Sequence, residues 1–185
     1  VVLAHANARD KIAGMDTGLQ AGSVVRVGSS VELEVMDTPG HTMSHICLLS
    51  KTEIPALFSG DTIFNAGVGH CHYGGDPDVL ADTVFSQVDV LPDNTMLYPG
   101  HDYIVNNLRF TLDREPNNSA AAELLQKVES QDPNQALITN LGQERQINTF
   151  FRTQSPEIIQ NFAQLDADAS PTQVFLALRE CRNSW

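Results

Sequence analysis

The sequence predicts a layered α/β body with a helical appendage at its C-terminal end. Three observations carry this expectation. Up to about residue 100, short apolar runs alternate with polar residues in the period-two pattern of half-buried strands. Three of those runs end at a glycine followed by a residue of metal-ligand type: Pro39-Gly40-His41, Ser59-Gly60-Asp61 and Pro99-Gly100-His101. Beyond residue 104 the apolar spacing changes from two to helical. With 185 residues, 42% of them hydrophobic, the chain can bury one substantial core and a small appendage.

Taken in order, Val1-Val2-Leu3-Ala4 reads as a strand that begins with no polar lead-in. Residues 7–22, with Gly14, Gly18 and Gly22, read as helix fragments and loop. Val24-Val25-Arg26-Val27, the turn Gly28-Ser29 and residues 30–36 read as a hairpin. In its second arm Val31, Leu33 and Val35 share one face while Glu32 and Glu34 share the other. Residues 46–49 and 56–58 are short strands around the Lys51-Thr52-Glu53 turn. An amphipathic helix over 79–88 follows Asp76-Pro77-Asp78, and Met96-Leu97-Tyr98 is the strand that feeds His101. Four helices come next: 104–114, stopped near Pro116; one capped by Ser119 and running to about Ser130; one starting at Ser155-Pro156; and one starting at Ser170-Pro171. In the last, Ser170 and Gln173 have the spacing of a capping box.

Composition narrows the partners. A formal net charge of −12 argues against a nucleic-acid backbone. No run approaches the length of a membrane span, and the first residues show no signal-peptide pattern. Cys47, Cys71 and Cys181 are odd in number and without CxxC spacing, which predicts free thiols in a reducing compartment. These features together predict an acidic cytoplasmic protein; oligomeric state has no signal in the sequence.

The chemistry-bearing residues are His41, Asp61 and His101. Each follows a strand and a glycine, so each is fixed at a strand end, and neutral imidazole and carboxylate suit zinc, iron or manganese. His45, four residues after His41, is not a helical metal pair, because Pro39-Gly40 precede it and strand follows; it reads as a supporting residue. His70-Cys71-His72 is the one His-x-His spacing in the chain, and it reads as pocket lining rather than as a metal site.

These motifs, with Asn106-Asn107-Leu108-Arg109-Phe110 and Glu115-Pro116-Asn117 after them, resemble the glyoxalase II (hydroxyacylglutathione hydrolase) family of the metallo-β-lactamase superfamily, from near residue 1 to Trp185. The resemblance implies an αββα sandwich over residues 1–112 and a C-terminal helical substrate-binding region over 113–185. It implies two divalent transition-metal ions, zinc first, with iron or manganese as alternatives. His41 would bind one ion, His101 the other, and Asp61 would bridge both and so take part in catalysis. The family's upstream His-x-His-x-Asp-His loop has no counterpart here, and the expectation is an N-terminal segment outside this sequence.

The implied reaction is hydrolysis of S-D-lactoylglutathione to D-lactate and glutathione by metal-bound hydroxide. The implied partner is therefore a small glutathione thioester, with neither nucleic acid nor membrane. Arg179 and Arg182, three apart on the last helix, match a basic pair that holds a glutathione carboxylate, and Tyr103 matches a tyrosine on the glutathione backbone. His70 stands where the family usually has Lys or Arg after Gly-x-Gly; it keeps a hydrogen-bond donor and loses a fixed charge. Two alternatives remain. A mononuclear iron persulfide dioxygenase is similar at residues 99–103 but lacks the long helical tail. A non-catalytic module would keep the fold without the chemistry.

Overall fold

A computed structural model of the protein describes residues 1–130, 132 and 136–185. Strands β1 (Leu3–His5) and β2 (Thr17–Leu19) form a small parallel pair, with one 3-10 turn at Ala6–Ala8 between them. The main sheet begins as an antiparallel meander of β3 (Val24–Val27), β4 (Val31–Asp37), β5 (Ile46–Ser50) and β6 (Ala56–Gly60). After β6 come a small hairpin, β7 (Ile63–Phe64) with β8 (Gly67–Val68), and helix α1 (Pro77–Thr83). This long crossover is what lets β9 (Met96–Pro99) join β6 in parallel, since parallel strands cannot be linked by a tight turn. β10 (Thr139–Asn140) completes the sheet, in the order β10-β9-β6-β5-β4-β3.

The topology brings the motifs together. β4 and β6 both run antiparallel to β5, so they run parallel to each other, and β9 runs parallel to β6. The C-terminal ends of β4, β6 and β9 therefore lie along one edge of the sheet. The loops that follow them carry His41, Asp61 and His101. The expectation of strand, glycine, ligand repeated three times thus becomes a single row of loops.

One face of the sheet is buried. The cross-strand row Leu49, Leu57, Leu97 packs in one cluster with Leu80, Ala81 and Val84 from the crossover helix. The other face presents Leu48, Phe58 and Tyr98 in register, with Phe58 and Tyr98 stacked at 5.2 Å between ring centroids.

The C-terminal region adds α2 (Ile104–Arg114), α3 (Ser119–Glu129), α4 (Leu141–Ile147), α5 (Pro156–Gln160) and α6 (Pro171–Ser184). α6 buries Val174, Phe175 and Leu178 in the same cluster as the sheet and packs along α1. A run of edge-on and stacked rings, Phe85, Phe175, Phe150 and Phe110, joins the two regions. The helical region therefore shares the core of the sheet and donates β10 to it.

The differences from the sequence reading are local. β2 lies inside the stretch expected to be loop and helix fragments; it is three residues, Thr-Gly-Leu, too short for alternation to show. The helix expected over 79–88 is α1 followed by five π-helical residues, Val84–Val88, and Asp89 N–H reaches back to Val84 C=O. Asn118, not Ser119, caps α3, accepting from the Ala121 N–H at 3.0 Å. The capping box at Ser170 and Gln173 forms as expected. α4 is a further helix with its own capping box from Asn140 to Gln143.

Candidate metal centre

Each of the three loops is held by contacts that dictate its glycine. Gly40 has φ +138°, and a Cβ there would lie 2.4 Å from the Leu80 Cα, so the crossover helix rests directly on this turn. The Thr83 hydroxyl donates to the Pro39 carbonyl at 2.7 Å and ties the same two segments together. The other strand ends meet where Gly100 N–H donates to the Gly60 carbonyl at 2.8 Å.

The side chains converge on Asp61. His41 Nε2 lies 3.5 Å from Asp61 Oδ2, and His101 Nε2 lies 3.5 Å from Asp61 Oδ1. One carboxylate is thus bracketed by two imidazoles, one per oxygen. His41 Nδ1 sits 2.6 Å from the His70 carbonyl oxygen. A carbonyl only accepts, so Nδ1 carries a proton there, and Nε2 is the nitrogen that faces Asp61. His101 is more exposed and has its ring stacked on Tyr103, centroids 5.4 Å apart.

His45 acts on Asp61 from behind. Its Nε2 accepts the Asp61 N–H at 3.1 Å, and its Nδ1 is 2.9 Å from the Thr62 hydroxyl and 3.1 Å from that of Thr38. Burial first, and the nearby His41 second, hold its pKa down at about 4. A neutral ring is what this position needs, because a protonated one could not accept from the Asp61 backbone. His5, at the end of β1, is 3.3 Å from Asp37 and stands apart from this group.

The donor set suits two cations sharing one carboxylate. Two unsubstituted imidazole nitrogens face its separate oxygens, and each half of the site has one nitrogen and one oxygen. Among the described residues, no three His, Cys, Asp or Glu side chains gather around a single point. His41, Asp61 and His101 do not by themselves close a shell around an ion.

Beside His101 lies a cavity of about 220 Å³, lined by Phe64, His70, Tyr103, Asn107, Arg179 and Arg182 among others. Every residue expected to touch substrate lines this one cavity, although they come from three separate segments. Burial, then the neighbouring His41, pushes the His70 pKa down, so the ring is predominantly neutral at pH 7. Arg182 lies between two rings, its guanidinium carbon 5.5 Å from the centre of Phe110 and 5.1 Å from that of Trp185. Arg179 is nearly buried, with its guanidinium turned to the backbone of Val68 and Gly69. Sequence reasoning did not single out Phe64, which stands edge-on to Tyr103 at 5.1 Å. Asn107 it had only as a motif letter; its amide donates to the Asn65 carbonyl at 2.9 Å.

A sheet whose strand ends present His, Asp and His in this way has the metallo-β-lactamase fold. The structure of ETHE1 from Myxococcus xanthus superimposes with a TM-score of 0.58 at 22% identity, covering 99% of this chain and 65% of that one. Residues 102–185 match the family model described as hydroxyacylglutathione hydrolase C-terminus. The hydroxyacylglutathione hydrolase of Nitrosococcus oceani is 56% identical over all of this chain and 72% of its own length. That of Polaromonas sp. is 53% identical over the same shares. The chain belongs to the hydroxyacylglutathione hydrolase family. Membership implies a dinuclear metal site. No helix among the described residues is long and apolar enough to cross a membrane.

Proposed function

We propose that this protein hydrolyses glutathione thioesters, S-D-lactoylglutathione first among them, with two divalent ions, zinc by preference, held by His41, Asp61 and His101. The carrying observation is the Asp61 carboxylate with one imidazole Nε2 at 3.5 Å from each oxygen. Ions bound there would supply Lewis acidity and lower the pKa of a bound water to near neutrality.

The remaining work falls to the chain itself. Asp61 would share its charge between the two ions. The His70 carbonyl fixes the His41 tautomer, and His45 fixes the Asp61 backbone. The leaving thiolate, with a pKa of about 8.5, departs with little help from an acid. The relatives' shared name supports thioester hydrolysis over the dioxygenase alternative.

The cavity would take one end of the thiol carrier. Its roughly 220 Å³ is below the ~300–1,000 Å³ that encloses a whole drug-sized ligand. Arg182 is the cation best placed for a carboxylate there. Two rings preorganise its planar guanidinium. Tyr103, half exposed beside His101, would contact the carrier backbone, and His70 would offer a neutral hydrogen bond.

Arg182→Ala should raise KM for S-lactoylglutathione with little change in kcat. A lost charge-assisted hydrogen bond costs about 1.5–3 kcal/mol, roughly a tenfold to hundredfold loss in kcat/KM. A small thioester without the glycine carboxylate never uses that contact, so wild type and variant should cleave it at similar rates. Equal losses on both substrates would assign Arg182 to folding and remove the main reason for naming glutathione.

A further inference from the structure

The two arginines of α6 stand one turn apart and do different work. Arg182 faces the cavity between two rings. Arg179 is 6% exposed, and its Nη1 and Nε donate to the chain itself. Its Nη1 donates to the Val68 carbonyl at 3.0 Å and to the Gly69 carbonyl at 3.2 Å. Its Nε donates to Asn183 Oδ1 at 3.2 Å, and its guanidinium carbon lies 5.6 Å from the centre of the Phe150 ring.

The two carbonyls it grips belong to the segment wedged against the metal ligands. Gly69 N–H donates to the Thr62 carbonyl at 3.2 Å. A Cβ on Gly69 would fall 2.0 Å from the Asp61 carbonyl oxygen and 3.0 Å from His41 Nδ1, so the backbone here touches both ligands. The next carbonyl along the chain, that of His70, accepts a hydrogen bond from His41 Nδ1 at 2.6 Å.

We infer that Arg179 is a positioning residue for the metal centre: by fixing the Val68 and Gly69 carbonyls it aims the His70 carbonyl that orients His41. The inference rests on the reading of His41 as a metal ligand. A lysine could not reproduce it, because one ammonium point charge cannot replace a flat guanidinium lying against a ring and spanning several acceptors. Groups that orient a ligating histidine typically change metal affinity or activity about 10–100-fold when removed. Arg179 acts one carbonyl further out, so its loss should fall at the lower end of that range.

The test uses the native full-length protein with zinc, comparing Arg179→Lys, Asn183→Ala and Arg182→Ala. Zinc affinity is read by chelator competition, and kcat and KM are read on S-lactoylglutathione and on a small thioester. Arg179→Lys should weaken zinc about tenfold and lower kcat on both substrates, with KM little changed. Asn183→Ala keeps the arginine and removes only its Nε partner; it should shift zinc affinity and kcat in the same direction by less. It also stands in should the lysine variant not fold. Arg182→Ala should leave zinc affinity at the wild-type value. A variant that raises KM on the glutathione substrate alone, at unchanged zinc affinity, would make Arg179 a ligand contact and overturn the inference. So would a lower melting temperature with zinc affinity and kcat intact in both Arg179→Lys and Asn183→Ala. Failure of the underlying metal reading is separable, because His41→Ala would then keep wild-type zinc affinity.

Discussion

Asp61→Ala should release metal and reduce kcat/KM by more than about 100-fold. Removing an outer group that only orients a ligand already costs about 10–100-fold, and among the described residues Asp61 is the carboxylate that faces both imidazoles. Without it, two neutral nitrogens remain, and nothing between them offsets the repulsion of two cations. Asp61→Asn is the informative companion. It keeps the shape and one carbonyl oxygen, but it removes the charge and turns an amide donor toward one imidazole. It should retain less than the full metal content and should not recover turnover. Metal analysis beside steady-state kinetics on one preparation checks both variants. Full metal content with a wild-type rate in Asp61→Ala would end the bridging assignment.

The site was legible in the sequence to the extent that its geometry is local. A strand, a glycine and a ligand are consecutive in the chain, so His41, Asp61 and His101 stood out, and the parallel run of β4, β6 and β9 then brings them to one sheet edge. Capping was legible for the same reason at Ser170 and Gln173. The shift from Ser119 to Asn118 shows the limit, since two adjacent residues can both cap and only backbone geometry chooses. The different surroundings of Arg179 and Arg182 were not legible. Spacing put them on one helical face, but the partners that separate them, Val68 and Gly69 against Phe110 and Trp185, lie far away in the chain or past the helix. The same holds for Glu144, an ordinary acidic residue in the sequence and a fully buried one in the fold.

Glu144 carries the second large effect, on stability and its pH dependence. The carboxyl is 0% exposed. Oε1 accepts from the Thr139 hydroxyl at 2.6 Å; Oε2 accepts from the Ala66 N–H at 2.8 Å and from the Asn148 amide at 3.1 Å. Ala66 has φ +56°, in the left-handed region, at the turn of the β7–β8 hairpin that leads to Gly69 and His70. Glu144→Ala would strand the Ala66 N–H in the interior and open a void beside it. Each stranded buried donor costs about 1–3 kcal/mol, so a total of about 3–5 kcal/mol is expected, against a usual whole-domain margin of about 5–15 kcal/mol.

The pH dependence separates this carboxyl from a surface one. Burial raises its pKa from 4.5 to about 7, against the opposing pull of the hydrogen bonds from Thr139, Ala66 and Asn148. Below pH 4.5 both folded and unfolded chains hold the proton, and Glu144 adds no pH dependence. Between pH 4.5 and 7 the unfolded chain releases it while the folded chain keeps it, so stability falls as pH rises. Glu144→Gln is neutral throughout and lacks this slope. Urea unfolding of wild type and Glu144→Gln between pH 4.5 and 8 should therefore show the wild type losing about 3 kcal/mol relative to the variant across that range. Taking the difference between the two proteins cancels the other titrating groups. A constant difference would mean that the three donors hold Glu144 as a carboxylate at every pH, and the network around the hairpin turn would then be an ionic one.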